Sequence, residues 1–158
     1  MHDHETGTRR PVVSVVRLPH AKDIPLPSYQ SGGAAGMDLI AALAEGKTVV
    51  LAPGERALIP TGLSMAIPYG FEGQVRARSG LAIRNGITLP NAPGTIDSDY
   101  RGEICVPLMN LGQEPFTVTR GMRIAQLLIT PVVQAVLQEV DQLDTTERGY
   151  AGFGSTGV

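Results

Sequence analysis

The chain is expected to be all-β, and three features point there. Nineteen Gly and twelve Pro among 158 residues supply many more turns than a helical bundle tolerates. The apolar runs are short, and several alternate apolar with polar residues at the period of a strand. Aromatic residues make up 4% with no Trp, so a core must be built from Val, Ile, Leu and Ala. The length suits one domain with enough chain to bury that core.

Residues 1–10 read as a mobile polar tail, with His2 and His4 solvated. Strand-type runs separated by Gly and Pro lie at 12–18, 36–41, 48–51, 56–60, 63–67, 72–77, 87–89, 103–110, 117–119 and 123–131. Residues 79–86 form the one helix candidate: Ser79 suits its N-cap, and Asn85-Gly86 suits its end. Residues 132–140 are apolar and extended in character, 141–147 are polar, and the terminus is Gly-rich. There is no internal repeat and no second domain. The organisation expected is a tail over 1–10, a β body over 11–140 and a flexible C-terminal arm over 141–158.

Net charge is −2, which argues against broad electrostatic capture of nucleic acid. A small phosphate ligand needs only a local basic pocket. The single cysteine, Cys105, lies in the apolar run Ile104-Cys105-Val106 and reads as a buried, inert thiol. No apolar run approaches the roughly 20 residues of a membrane span. The polar start lacks the pattern of a signal peptide, so a cytoplasmic protein without a membrane partner is expected. No Walker phosphate loop is present.

The densest chemistry lies in Asn91-Ala92-Pro93-Gly94-Thr95-Ile96-Asp97-Ser98-Asp99-Tyr100-Arg101-Gly102. Asp97 leaves a turn beside an aliphatic residue and is a candidate general base, or simply an acidic residue of a β-hairpin. Asn91 offers a donor and an acceptor to a ring edge, and Tyr100 offers a surface for a sugar or base. Arg78-Ser79-Gly80 brings a guanidinium, a hydroxyl and free N–H groups to a helix start, a favourable anion site; the plainer reading is a cap with a surface Arg. Gln126 interrupts an aliphatic strand, as either an outward-facing residue or a ligand contact. Asp38 is a second carboxylate or a polar strand residue. The C-terminal run carries Arg148, Phe153, Gly154, Ser155 and Thr156. It reads as a frayed tail by composition and as a closing lid by its Arg and Phe.

Five segments occur in order: Ala35-Gly36-Met37-Asp38-Leu39, Arg76-Ala77-Arg78-Ser79-Gly80-Leu81-Ala82, the run 91–102, Gly121-Met122-Arg123-Ile124-Ala125-Gln126-Leu127-Leu128, and Arg148-Gly149-Tyr150-Ala151-Gly152-Phe153-Gly154-Ser155-Thr156-Gly157. Together they resemble the five motifs of the trimeric dUTPases, the deoxyuridine triphosphate nucleotidohydrolases, over nearly the whole chain. The resemblance implies a jelly-roll-like β-barrel assembled as a homotrimer with shared active sites. It implies that dUTP is hydrolysed to dUMP and pyrophosphate by water attack on the α-phosphate, assisted by Mg²⁺. That activity would limit uracil incorporation into DNA and supply dUMP for thymidylate synthesis.

By the same resemblance, Asp97 is the general base and Asp38 orients the site, through the metal's waters rather than as a direct ligand. Arg78, Ser79 and Gly80 contact the phosphates, Gln126 the α-phosphate, and Asn91 the uracil edge. Tyr100 packs under the deoxyribose. Phe153 stacks on uracil, while Arg148, Ser155 and Thr156, with Gly154 between them, hold the γ-phosphate. Arg123 serves the phosphates or a subunit contact. Ala151 stands where the family commonly has Gly. The related dCTP deaminases share the fold but need a Glu proton shuttle, and the relevant segment carries Asp97, with Glu103 the one Glu nearby.

Overall fold

The computed structural model describes residues 10–152. Antiparallel pairing dominates, and one short helix interrupts ten strands among these residues. The strands are β1 (Ser14–Arg17), β2 (Met37–Ile40), β3 (Thr48–Leu51), β4 (Arg56–Ala66), β5 (Phe71–Ala77), β6 (Ile87–Thr88), β7 (Gly94–Ile96), β8 (Glu103–Asn110), β9 (Phe116–Thr119) and β10 (Arg123–Pro131). They form a sheet ordered β1-β4-β8-β6, a sheet ordered β2-β10-β5-β7, and the pair β3-β9.

The alternation read in the sequence becomes an inside and an outside. On β8 the buried residues are Ile104, Val106, Leu108 and Asn110, and the residues between them face outward. Ile104, Val106 and Leu108 meet Leu39, Leu51, Ile59, Val75, Val118 and Leu127 in one core. On β10 the alternation slips: a register shift between Arg123 and Ala125 buries Ile124 and Ala125 together and re-aims the remaining side chains of the strand. Asn110 is fully buried and fully bonded. Its Nδ2 donates to Leu51 O (2.9 Å) and Glu114 O (2.8 Å), and its Oδ1 accepts from Gly112 N (2.8 Å).

Three expectations need correction. The runs 56–60 and 63–67 are one strand, β4, because Gly62 takes φ +68° and forms an irregularity between Pro60 and Ser64 without ending the ladder. Below it, Ala21 packs so closely that a Cβ on Gly62 would come within 2.1 Å of the Ala21 Cβ. The segment 94–96, assigned no strand from sequence, pairs with β5. A closed barrel is not formed by the described residues: the edge strands β6 and β7 span two and three residues, too short to carry a ladder across to the other sheet.

A second, small cluster of Ala21, Ile24 and Ala42 sits under the loop after β1. Arg120 clamps it, donating to the Leu43 carbonyl, to His20 O (2.9 Å) and to the Asp23 carboxylate. That contact holds the Asp23 carboxyl below its usual range. Beyond Pro131, Val132 N bonds Gly70 O at 2.9 Å, and then the chain runs exposed. Val133, Val136 and Leu137 are each 94% exposed. No helix among the described residues is long and apolar enough to cross a membrane.

Candidate active site

The residues singled out by the sequence fall into two groups. Asn91, Asp97 and Tyr100 line one cleft of about 350 Å³, with Leu89, Thr95 and Glu103 among its other walls. Strand β7 builds it. Gly94 pairs with Val75 and Ile96 with Gly73, so buried Ile96 anchors the strand and Asp97, the next residue, emerges to solvent. Gly94 leaves room for Asn91, whose Nδ2 would lie 3.2 Å from an added Cβ.

The turn after β7 is braced by its own atoms. Tyr100 N donates to Asp97 O at 3.1 Å. The Tyr100 hydroxyl donates to Glu103 O at 2.9 Å. The Arg101 guanidinium donates to Ser98 O (2.7 Å) and Tyr100 O (2.9 Å). The Tyr100 ring lies against Gly102, where a Cβ would come within 2.5 Å of the phenol oxygen. Asp97 makes no side-chain hydrogen bond or ion pair with the described residues and is exposed. Asp99 does not line this cleft.

The second group is laid out across the other end of the β2-β10-β5-β7 sheet. Asp38, Gln126 and Arg76 stand in one row, since Asp38 pairs with Gln126 and Gln126 with Arg76. Arg78 Nε donates to Asp38 Oδ1 at 3.0 Å, and Arg123 Nη1 lies 3.5 Å from Asp38 Oδ2. Gln126 Nε2 donates to Ala77 O at 3.0 Å. Two guanidinium groups therefore flank one carboxylate, and Arg76 adds a third in the same row. The local excess of positive charge suits a polyanion.

Helix α1 (Ser79–Asn85) starts beside this row. Its N-cap is Arg78, not Ser79 as expected, and no side chain caps it. Ser79 instead begins the helix, and the N–H groups of this first turn have no partner within the helix. Gly80 is overlain by Arg84, whose Nη2 would lie 2.8 Å from an added Cβ. The helix ends as anticipated, at Gly86 with φ +69°.

The two groups do not meet within one chain. Asp97 lies one residue past Ile96, level with Glu72 on β5, while Gln126 is level with Arg76. Four residues along the strands and three strands across separate Asp97 from Asp38, or about 20 Å at ordinary sheet spacings.

Arg148 sits in a turn, with Nε donating to Ala151 O at 3.0 Å. Phe153, Gly154, Ser155 and Thr156 lie outside the described residues. Cys105 departs from its expected burial. It sits on the outward phase of β8, half-buried, and lines the cleft. Burial, and then the Glu103 carboxylate, push its thiol pKa up.

Glu103, Arg101 and Arg76 were assigned no role from sequence. The nearness of Arg76 to Arg78 in the chain was the one visible sign of a further guanidinium beside the Asp38 row. Nothing local marks the Glu103 side chain, whose partners His20 and Gly62 are distant in the chain.

The model of the dUTPase family matches residues 22–157. A deoxyuridine 5'-triphosphate nucleotidohydrolase of Methylocella silvestris is 61% identical over 146 residues, covering 92% of this chain and 91% of that protein. The corresponding protein of Rhizobium rhizogenes is 57% identical over 149 residues, covering 94% and 96%. Among solved structures, the Staphylococcus bacteriophage 80alpha dUTPase with dUPNHPP superposes with a TM-score of 0.82 at 28% identity. It covers 93% of this chain and 99% of that one. The family match takes in β2 to β10 together with the Asp38, Arg78, Asp97 and Gln126 segments, and by it the chain belongs to the dUTPase family.

Proposed function

We propose that the protein hydrolyses dUTP to dUMP and pyrophosphate, with Asp97 as general base. The observation that carries the detail is the convergence of Asn91, Asp97 and Tyr100 on one cleft, with Asp97 exposed and free of competing partners among the described residues. The amide of Asn91 meets the uracil edge, and Tyr100 forms the wall under the deoxyribose, leaving no room for a 2'-hydroxyl. Asp97 accepts a proton as water forms a bond to the α-phosphorus and the bond to the bridging oxygen of the β-phosphate breaks.

Arg78, the N–H groups at Ser79 and Gly80, and Gln126 hold the phosphates. Asp38 keeps Arg78 and Arg123 in place. Among the described residues no three His, Cys, Asp or Glu side chains gather into a metal site. Mg²⁺ favours phosphate oxygens and water over an all-protein cage, and the Asp38 carboxylate, beside the Arg78 and Arg123 guanidinium groups, would reach it through a water. When bound, the ion neutralises charge on the phosphates.

A base must lie within hydrogen-bond reach of its water, and about 20 Å separates Asp97 from Asp38 in one chain. This supports a homotrimer in which one subunit's cleft faces another's phosphate row, and the exposed Val133, Val136 and Leu137 support burial against a further copy. Arg148, Phe153, Gly154, Ser155 and Thr156 then close the site from the arm over 141–158. In a cytoplasmic setting the reaction limits uracil incorporation into DNA and supplies dUMP for thymidylate synthesis.

The test is product identification by mass after incubation with Mg²⁺ and dUTP, dCTP, dTTP or UTP separately. Expected is dUMP with pyrophosphate from dUTP alone. Deoxyuridine nucleotides arising from dCTP, or no turnover at all, would overturn the reading.

A further inference from the structure

We infer that Glu103 is a positioning residue for the sugar wall, locked in place by His20 and Gly62. The inference deepens the reading of Tyr100 and rests on it. Glu103 Oε1 accepts from Gly62 N at 2.8 Å and lies 2.8 Å from His20 Nε2. These partners are 41 and 83 residues away in the chain. Its main-chain oxygen is the acceptor for the Tyr100 hydroxyl. One residue thus joins the ring that faces the cleft to the fixed irregularity of β4 and to the 3-10 turn Pro19–Ala21.

The need for such a lock arises from local structure. Tyr100 lies in a turn with no ladder, and its ring rests on Gly102, which has no side chain to hold it. The Glu103 carbonyl is the acceptor that fixes the phenol end of the ring. Glu103 opens β8, and a strand end without anchorage frays. The carboxylate supplies the anchorage: Gly62 N is presented by a left-handed turn packed on Ala21, and His20 by a turn that Arg120 holds through the His20 carbonyl. Both donors sit on structure that cannot shift without disturbing the Ala21, Ile24 and Ala42 cluster.

The arrangement also bears on the deaminase alternative. Glu103 is the carboxylate such chemistry would need near the base, but one of its oxygens is already committed to two partners.

The quantity that reads out the lock is the ratio of kcat/KM for dUTP to that for UTP. Loss of a purely structural residue lowers both values together or lowers the melting temperature; loss of a wall position admits the 2'-hydroxyl and lowers the ratio. Glu103→Ala is expected to reduce the ratio at least about tenfold. Glu103→Gln keeps an acceptor oxygen for both donors and is expected to restore the ratio to within about threefold of native. Tyr100→Phe removes the other half of the link. Combined with Glu103→Ala it should lower the ratio hardly further than either alone, because the two act on one contact.

If Glu103→Ala does not fold, His20→Ala, on an exposed turn, decides the matter through a drop in the ratio of about threefold or more. An unchanged ratio in the folded variants, or equal losses for both substrates, overturns the proposal. Failure of the native chain to hydrolyse dUTP would instead sink the functional reading. An unchanged ratio in Tyr100→Ala would remove Tyr100 as the sugar wall.

Discussion

Asp97→Asn separates chemistry from structure more cleanly than any other substitution at the site. The two side chains have the same shape, and Asp97 is exposed with no side-chain bond among the described residues. Its structural contribution runs through its main-chain oxygen, which accepts from Tyr100 N and is unaffected by the change. Asn has negligible basicity, so the variant loses general-base catalysis, worth about 10²- to 10⁴-fold. At about 1.36 kcal/mol per decade this is about 2.7–5.4 kcal/mol of barrier. The melting temperature should stay within about 2 °C of native, because no contact worth about 1 kcal/mol is removed. KM should change by less than about threefold, since an interaction used in the transition state alone does not alter ground-state binding. Pyrophosphate release over a dUTP series at fixed Mg²⁺, alongside a thermal melt, measures all three. A kcat within about tenfold of native would refute the assignment of Asp97 as the base. A large fall in melting temperature would refute the claim that its side chain is structurally idle.

Other outcomes rest on single features. Asn110→Ala breaks three hydrogen bonds in a fully buried setting and should cost about 3–4 kcal/mol in urea unfolding; a loss below about 1 kcal/mol would show that water replaces the amide. Gly62→Ala combines left-handed strain of about 1–2 kcal/mol with overlap against Ala21 worth about 1–3 kcal/mol, so unfolding should show a loss of about 3 kcal/mol and a native-like midpoint would contradict the close packing. Cys105, with its thiol pKa raised by burial and by Glu103, should alkylate at about pH 8 more slowly than a free cysteine peptide, and bound nucleotide should slow it further. Reaction at the free-peptide rate would place the thiol outside the cleft.

The all-β class and the candidate site residues could be read from the sequence because both readings rest on local properties. Alternation over 103–110 needs only eight consecutive side chains to declare an inside and an outside. Gly86 ends the helix because a left-handed residue is needed there, and glycine adopts that conformation without strain. Short motifs around Asp38, Arg78, Asp97 and Gln126 carry their chemistry within a few positions each.

Tertiary structure decided everything that depends on non-neighbours. Sequence spacing could not tell that residues 56–66 form one strand, because the irregularity at Gly62 is tolerated only when Ala21 packs beneath it. Nor could it place Ser79 one position inside the helix it was expected to cap. Cys105 looked buried in an apolar run, yet the phase of β8 turns it toward the cleft. Most of all, register separates Asp97 from the Asp38 row, and tertiary packing brings His20 and Gly62 to the Glu103 carboxylate. A pairing of strands is a choice among distant partners, made by which apolar faces can be buried together, and no local run of residues records that choice.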